Sequence, residues 1–174
     1  MLWFFMAVRE IKKYPDPILK KKALPVKNID GAIQRLIDDM LDTMYSAPGI
    51  GLAAPQVGES KRIIVVDVSA REEGRPLIIL INPELIKAEG KVESEEGCLS
   101  VPGYVSKIHR AERVFVKGLD REGRPVEIEA DGLLARALQH EIDHLNGILF
   151  IDRMSPIKRE FFKKRYLRRL KAKV

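Results

Sequence analysis

Gln139-His140-Glu141-Ile142-Asp143-His144 is the stretch on which the reading of this chain turns. In a helix, residues four apart share a face, so His140 and His144 present two imidazoles to one point while Glu141 stands one step round beside it. This is the HExxH arrangement: two ligands for a divalent ion and a carboxylate that can move protons. The flanks agree with a helix. Leu134, Leu138, Ile142 and Leu145 recur as a packing stripe, and Leu133, Ala137, His140 and His144 lie together on the neighbouring face. Asp131 is placed to cap the start and Gly147 to stop the end, which predicts a helix reaching to about Leu145.

Upstream, Asp30 can cap a helix running to about Tyr45, with Ile33, Leu36, Ile37, Met40, Leu41 and Met44 at the spacing of a buried face. Pro48 and Gly49 end it, and a loop rich in Gly and Ala follows over 49–58. Residues 62–68 and 77–81 read as strands rich in Ile and Val, with a turn at Asn82-Pro83. Further strands are predicted at 105–108, 114–119 and 125–129, the last two joined as a hairpin through Asp120-Arg121-Glu122-Gly123. A third helix is predicted from Pro156 to about Lys171, with proline in its first turn. Strands bracketed by helices without regular βαβ alternation indicate an α+β fold: mixed or antiparallel strands packed around the central HExxH helix, with an N-terminal helix and a basic C-terminal helix.

The chain has 174 residues, 45% of them hydrophobic and 32% charged, which suits one catalytic domain over 1–174. Residues 1–5 are hydrophobic without a basic leader or a small-residue cleavage site, and are expected to be an extension outside the core, with the domain beginning near Met6. No apolar run reaches the roughly 18 to 20 residues of a spanning helix, so a soluble protein is expected, with the cytoplasm as its place. The single cysteine, Cys98, rules out an internal disulfide and suits a reducing compartment. The net charge of +6 is uneven: residues 155–174 hold nine Lys or Arg against one acid, whereas the remainder has 22 basic and 24 acidic residues. A basic tail on a near-neutral body suggests contact with a polyanion.

Two histidines do not hold a catalytic ion, so a third ligand is required. The position at which a metzincin protease carries its third His is Phe150 here. A thermolysin-like reading would need a Glu on a later helix, and Glu160 sits within the basic tail, too close in sequence. Cys98 is the better ligand: a thiolate binds such metals strongly, and Glu95-Glu96-Gly97-Cys98-Leu99-Ser100 precedes a Pro-Gly turn where backbone can approach an ion. Gly49-Ile50-Gly51-Leu52-Ala53-Ala54-Pro55-Gln56 happens to fit a dinucleotide fingerprint, but a helix precedes it and Pro55 and Gly58 follow. It reads instead as a loop whose small residues let a substrate approach, with Gln56 as a polar group aimed into a site.

Together the three segments, Gly49 to Gln56, Glu96 to Ser100 and Gln139 to His144, resemble the signature motifs of peptide deformylases, in the same order and without departure at a motif position. The helical ending is similar to the bacterial type 1 branch. The resemblance implies a metal-dependent hydrolase that removes the formyl group from the N-terminal formylmethionine of nascent proteins. It implies Cys98, His140 and His144 as ligands of iron(II), Fe(2+), with zinc, nickel or cobalt able to substitute. It implies Glu141 as general base and then general acid. Gln56 and the Leu99 N–H would be donors to the developing oxyanion. Gly49, Ile50, Leu133, Ala137 and the edge of His140 would wall a methionine pocket, with Gly51 and Gly97 along the peptide backbone. Arg110 is a candidate contact to the substrate backbone, with a solvated strand-end arginine as the equal alternative; His109 reads as a surface residue, and Asp143 could orient a ligand histidine or close a salt bridge within its helix. The C-terminal helix would make a transient ribosome contact. Two other readings start from the same residues: a small HExxH metalloprotease, which would not depend on Cys98, and a basic ribosome- or RNA-binding module with structural histidines.

Overall fold

The computed structural model describes residues 7–174; the expected extension at 1–5 and the start near Met6 lie outside the described residues. The chain runs α1 (Gly31–Ser46), β1 (Gly51–Ala53), β2 (Ile63–Val66), β3 (Ile78–Glu89), β4 (Val92–Cys98), β5 (Val101–Arg110), β6 (Arg113–Leu119), β7 (Pro125–Asp131), α2 (Gly132–Leu145) and α3 (Pro156–Ala172). All strand pairings among these elements are antiparallel. Five strands form one sheet in the order β1-β2-β3-β6-β7, and β4 pairs with β5 alone.

The alternation of β2 explains how the helices are layered. Ile64 and Val66 face one side, with Leu80, Val116 and the Leu134, Leu138, Ile142 and Leu145 stripe of α2. Ile63 and Val65 face the other, with Ile33, Leu36, Ile37, Met40 and Met44 of α1. Both faces of this part of the sheet are therefore covered, and all four β2 residues are buried. Each such aliphatic side chain contributes about 1.5–3 kcal/mol by leaving water. A third cluster joins Leu19, Val101, Ile108 and Phe150 to Phe162 and Tyr166 of α3. Only those two α3 residues are buried. Phe161, Leu167 and Leu170 are exposed, so the helix rests on the body by a narrower stripe than its apolar residues suggest.

Several boundaries differ from the sequence expectation, each for a local reason. Asn82-Pro83 is not a turn: β3 continues through it as a bulge, with Asn82 at φ 53 and its side chain bonded to the N–H and C=O of Val26. The loop over 49–58 contains β1 and a short 3₁₀ turn, Ala54–Val57. Strand β4 carries no aliphatic alternation to announce it, because its inward positions, Ser94, Glu96 and Cys98, are polar or reactive. The reversal after Cys98 occurs at Leu99-Ser100, and Pro102-Gly103 lies inside β5. Asp131 does not cap α2 with its side chain; it pairs with Arg75 at 2.5 Å. Glu72 caps in its place, accepting the Leu133 N–H at 3.0 Å. Gly147 follows the helix as expected, at φ 72, where an added Cβ would collide with the Lys20 carbonyl oxygen.

A buried charge chain ties the small sheet to α2. Arg110 of β5 donates twice to Glu96 of β4, each at 2.9 Å, and once to Asp143 of α2 at 2.5 Å. Arg153 grips the same Asp143 through contacts of 2.6 and 2.7 Å. The Arg110 side chain is 2% exposed, so it is neither a solvated strand-end residue nor free to meet a substrate; two carboxylates occupy its guanidinium. Burial works against ionising Glu96, but the bonds from Arg110 and His140 outweigh it and hold the carboxyl at about 2. Removing one partner from such a group leaves uncompensated buried charge. Arg110→Met is therefore expected to cost at least about 3 kcal/mol in urea unfolding and roughly 6 °C or more in Tm. Because the folded pKa of Glu96 lies below its ordinary 4.5, its contribution is present above that pH and is lost as pH falls toward about 2. The urea midpoint should decline across that window, and Glu96→Gln should flatten the decline.

Candidate metal centre and cleft

Two elements bring the reactive side chains together. His140 and His144, one turn apart on α2, lie with their Nε2 atoms 3.2 Å from each other. Cys98 ends β4 at a register shift that turns its Sγ toward α2, to 3.3 Å from His144 Nε2. The three donor atoms all lie within 4.8 Å of one another. Glu96 accepts from His140 Nδ1 at 2.7 Å, which fixes the ring so that Nε2 faces the other two donors.

The local charge suits a cation. Although burial opposes a charged ring, Cys98 and Glu96 hold His140 well above its ordinary pKa. Burial holds His144 well below its own, leaving a neutral imidazole. A thiolate with two imidazoles is a donor set for zinc, iron, nickel or cobalt.

Glu141 is buried beside this group, and its Oε2 has no hydrogen-bond partner among the described residues. Burial pushes its carboxyl up to about 7, close to the working range of a group that both takes and returns a proton. Gly51 makes room for it: a Cβ there would stand 2.5 Å from Glu141 Oε1. Gln56 is locked at both ends of its amide. Its Oε1 accepts the Ala53 N–H at 3.0 Å, and its Nε2 donates to Ser100 Oγ at 3.1 Å and to Cys98 Sγ at 3.6 Å. Ser100, fully buried, is a supporting residue that sequence reasoning misses, because a serine two places after a cysteine carries no signal of its own.

Gln56, Cys98, His140 and Glu141 line a cleft of about 750 Å³. Gly49, Ile50 and Gly51 form one wall, and Gly97, Cys98 and Leu99 another. Leu133, Ala137, His140 and Glu141 of α2 complete it, with Gln56 between. Gly49 lies close to Leu99, whose Cδ1 would stand 2.8 Å from an added Cβ, so a side chain there would displace the leucine. The structure thus brings all the expected site residues together except Arg110, which lies in the charge chain behind the cleft. Asp143 likewise binds Arg110 and Arg153 rather than a histidine; Glu96 is the carboxylate that orients one. His109 is exposed and pairs with Glu93 at 3.4 Å. Arg71, Glu95, Tyr104 and Arg136 also line the cleft, and no motif marks them.

The polypeptide deformylase family model matches residues 8–160. The chain is 64% identical to the peptide deformylase of Thermodesulfovibrio yellowstonii over 161 residues, covering 92% of this chain and 98% of that one. It is 56% identical to that of Syntrophobacter fumaroxidans over 166 residues, covering 95% of this chain and 98% of the relative. Among solved structures, the peptide deformylase of Legionella pneumophila superposes with a TM-score of 0.87 at 49% identity, covering 97% of this chain and 99% of the other. That of Thermus thermophilus gives 0.86 at 46% identity, covering 96% and 99%. A sequence match across both halves of the cleft, and a backbone that superposes from end to end, make this chain a member of the polypeptide deformylase family, the metal-dependent hydrolases that remove the formyl group from nascent peptides.

Proposed function

We propose that this chain deformylates N-formylmethionyl nascent peptides within one catalytic domain, using Cys98, His140 and His144 to hold an iron(II) ion. Zinc, nickel or cobalt would fit the same donors. The observation that carries the reading is three donor atoms within 4.8 Å of one another in a cleft also lined by Glu141, whose Oε2 has no partner among the described residues. An ion held there supplies Lewis-acid charge and acidifies adjacent water.

Glu141 takes a proton from the water whose oxygen bonds to the formyl carbon. It then delivers that proton to the amine nitrogen as the C–N bond breaks, so that formate and a free methionine N-terminus leave. Gln56 Nε2 and the Leu99 N–H donate to the formyl oxygen as it becomes negative. The Ala53 and Ser100 contacts support this role, since they hold the amide ready before substrate arrives. Gly49, Ile50, Leu133 and Ala137 enclose the methionine side chain beside the edge of His140, and Gly51 and Gly97 let the peptide backbone come close.

A lone cysteine that must stay reduced favours the cytoplasm, and no helix of the described residues is long and apolar enough to cross a membrane. The exposed Arg165, Arg168 and Arg169 of α3 suit a transient contact with ribosomal RNA.

Anaerobically purified wild type should release formate from formyl-Met-Ala peptide, and Glu141→Gln should lower kcat by about 10²- to 10⁴-fold while keeping its metal. Cys98→Ser should lose metal and activity together, whereas a protease that ignores Cys98 would retain both. Gly51→Ala should reduce kcat by at least about tenfold with metal content unchanged, because the new methyl displaces Glu141. Replacing Arg165, Arg168 and Arg169 with Glu should weaken ribosome co-sedimentation and flatten its salt dependence; unchanged sedimentation would remove that contact from the proposal.

A further inference from the structure

The cleft has an unbalanced charge at its rim. Arg71 and Arg136 both line it, and neither forms an ion pair with any described residue. Arg136 lies on α2 four residues before His140 and one before Ala137, so it stands where the helix passes from the methionine pocket to solvent. No acid is one turn away on its own helix, where positions 132, 133, 139 and 140 hold Gly, Leu, Gln and His.

Arg71 comes from the connection between β2 and β3, and that connection is stapled to α2. Glu72 accepts the Leu133 N–H at 3.0 Å, and Arg75 bonds both Glu72, at 3.1 Å, and Asp131, at 2.5 Å. Glu72 and Arg75 are thereby paired and hold the connection against the start of α2, while the neighbouring Glu73 is exposed and forms no ion pair with Arg71. Across the cleft, Glu95 is the exposed acid, but it sits opposite Lys107 in the β4–β5 ladder, so its charge is matched on its own sheet. The two arginines on the α2 side form no ion pair among the described residues.

We propose that Arg71 and Arg136 form a downstream subsite that selects acidic side chains at the second or third residue of the formylated peptide. This rests on the deformylase reading of the cleft, which seats methionine against Leu133 and Ala137 and sends the following residues past Arg136. A carboxylate there meets two guanidinium groups that form no ion pair among the described residues, whereas a lysine meets like charge. At such partly exposed positions each pair is worth little, so the preference is modest and sensitive to salt.

The test compares formate release by the metal-loaded full chain at low ionic strength from formyl-Met-Glu-Ala, formyl-Met-Ala-Glu, their Lys counterparts and formyl-Met-Ala-Ala. At one position or both, the Glu peptide should show a kcat/KM about three- to tenfold above its Lys counterpart, expressed in KM rather than kcat. The contrast should shrink at about 0.5 M salt. In the Arg71→Met, Arg136→Met double variant the Glu-to-Lys ratio should fall to near one. Arg71→Glu alone, on the exposed connection and without altering α2, leaves one positive and one negative group and should also bring the ratio to near one, whereas the Arg71→Glu, Arg136→Glu double variant should invert it. Equal rates for Glu and Lys peptides in wild type, or a preference that survives the double substitution, would overturn the subsite. Absence of release from every formyl-Met peptide would instead overturn the deformylase reading on which it stands.

Discussion

The ion pair between Arg110 and two carboxylates, Glu96 and Asp143, is the constraint on which the site depends. Helix α2 carries His140, Glu141, Asp143 and His144 into the interior, four ionisable groups in five residues. Burying such a run is costly unless partners offset most of the charge, and two of the groups have them. Asp143 finds Arg110 and Arg153. His140 finds Glu96, and Glu96 in turn is held by Arg110. The same guanidinium therefore neutralises the back of the helix and, through Glu96, sets the ring that faces the front. Because Glu96 and Arg110 belong to β4 and β5, the small sheet is registered against α2 by charge as well as by packing, and Cys98 arrives opposite the histidines as a consequence.

What this chain leaves unpaired is as informative as what it pairs. Most of the buried side-chain polar atoms in the described residues find partners, and Glu141 Oε2 and His144 Nδ1 are among the exceptions. Glu141 Oε2 stands free beside the three donor atoms, where an open acceptor suits a group that moves protons, whereas His144 Nδ1 is the ring nitrogen not directed at Cys98 and His140. Gly51 and Gly49 complete the arrangement by absence of a side chain: each stands where a methyl group would strike a residue of the site, Glu141 in one case and Leu99 in the other.

The layering of the sheet explains why the cleft opens where it does. Strand β2 is covered on both faces, by α1 and α2, so it offers no exposed surface for a substrate. The β4–β5 ribbon is not part of that sheet, and the space between it and the N-terminal half of α2 becomes the cleft. Gly97 and Ala137, both small, line that space from its two sides.

The sequence by itself determined the two long-period elements and the chemistry they carry. The apolar stripes of α1 and α2 have a single helical solution, and histidines four apart on a helix must share a face. The identity of Cys98 as the partner could be argued from the softness of its sulfur, because the required ligand count left few candidates. Tertiary structure decided the rest. Strand β4 could not be read, because its inward side chains are polar for the sake of the site they build. Asn82-Pro83 reads as a turn in any local window; it became a bulge because Asn82 bonds to Val26, a partner 56 residues distant. The cap of α2 passed from Asp131 to Glu72, and Arg110 passed from the cleft to the interior, for the same reason: a charged side chain is placed by the opposite charge or free N–H nearest to it in space, and separation along the chain carries no information about that distance.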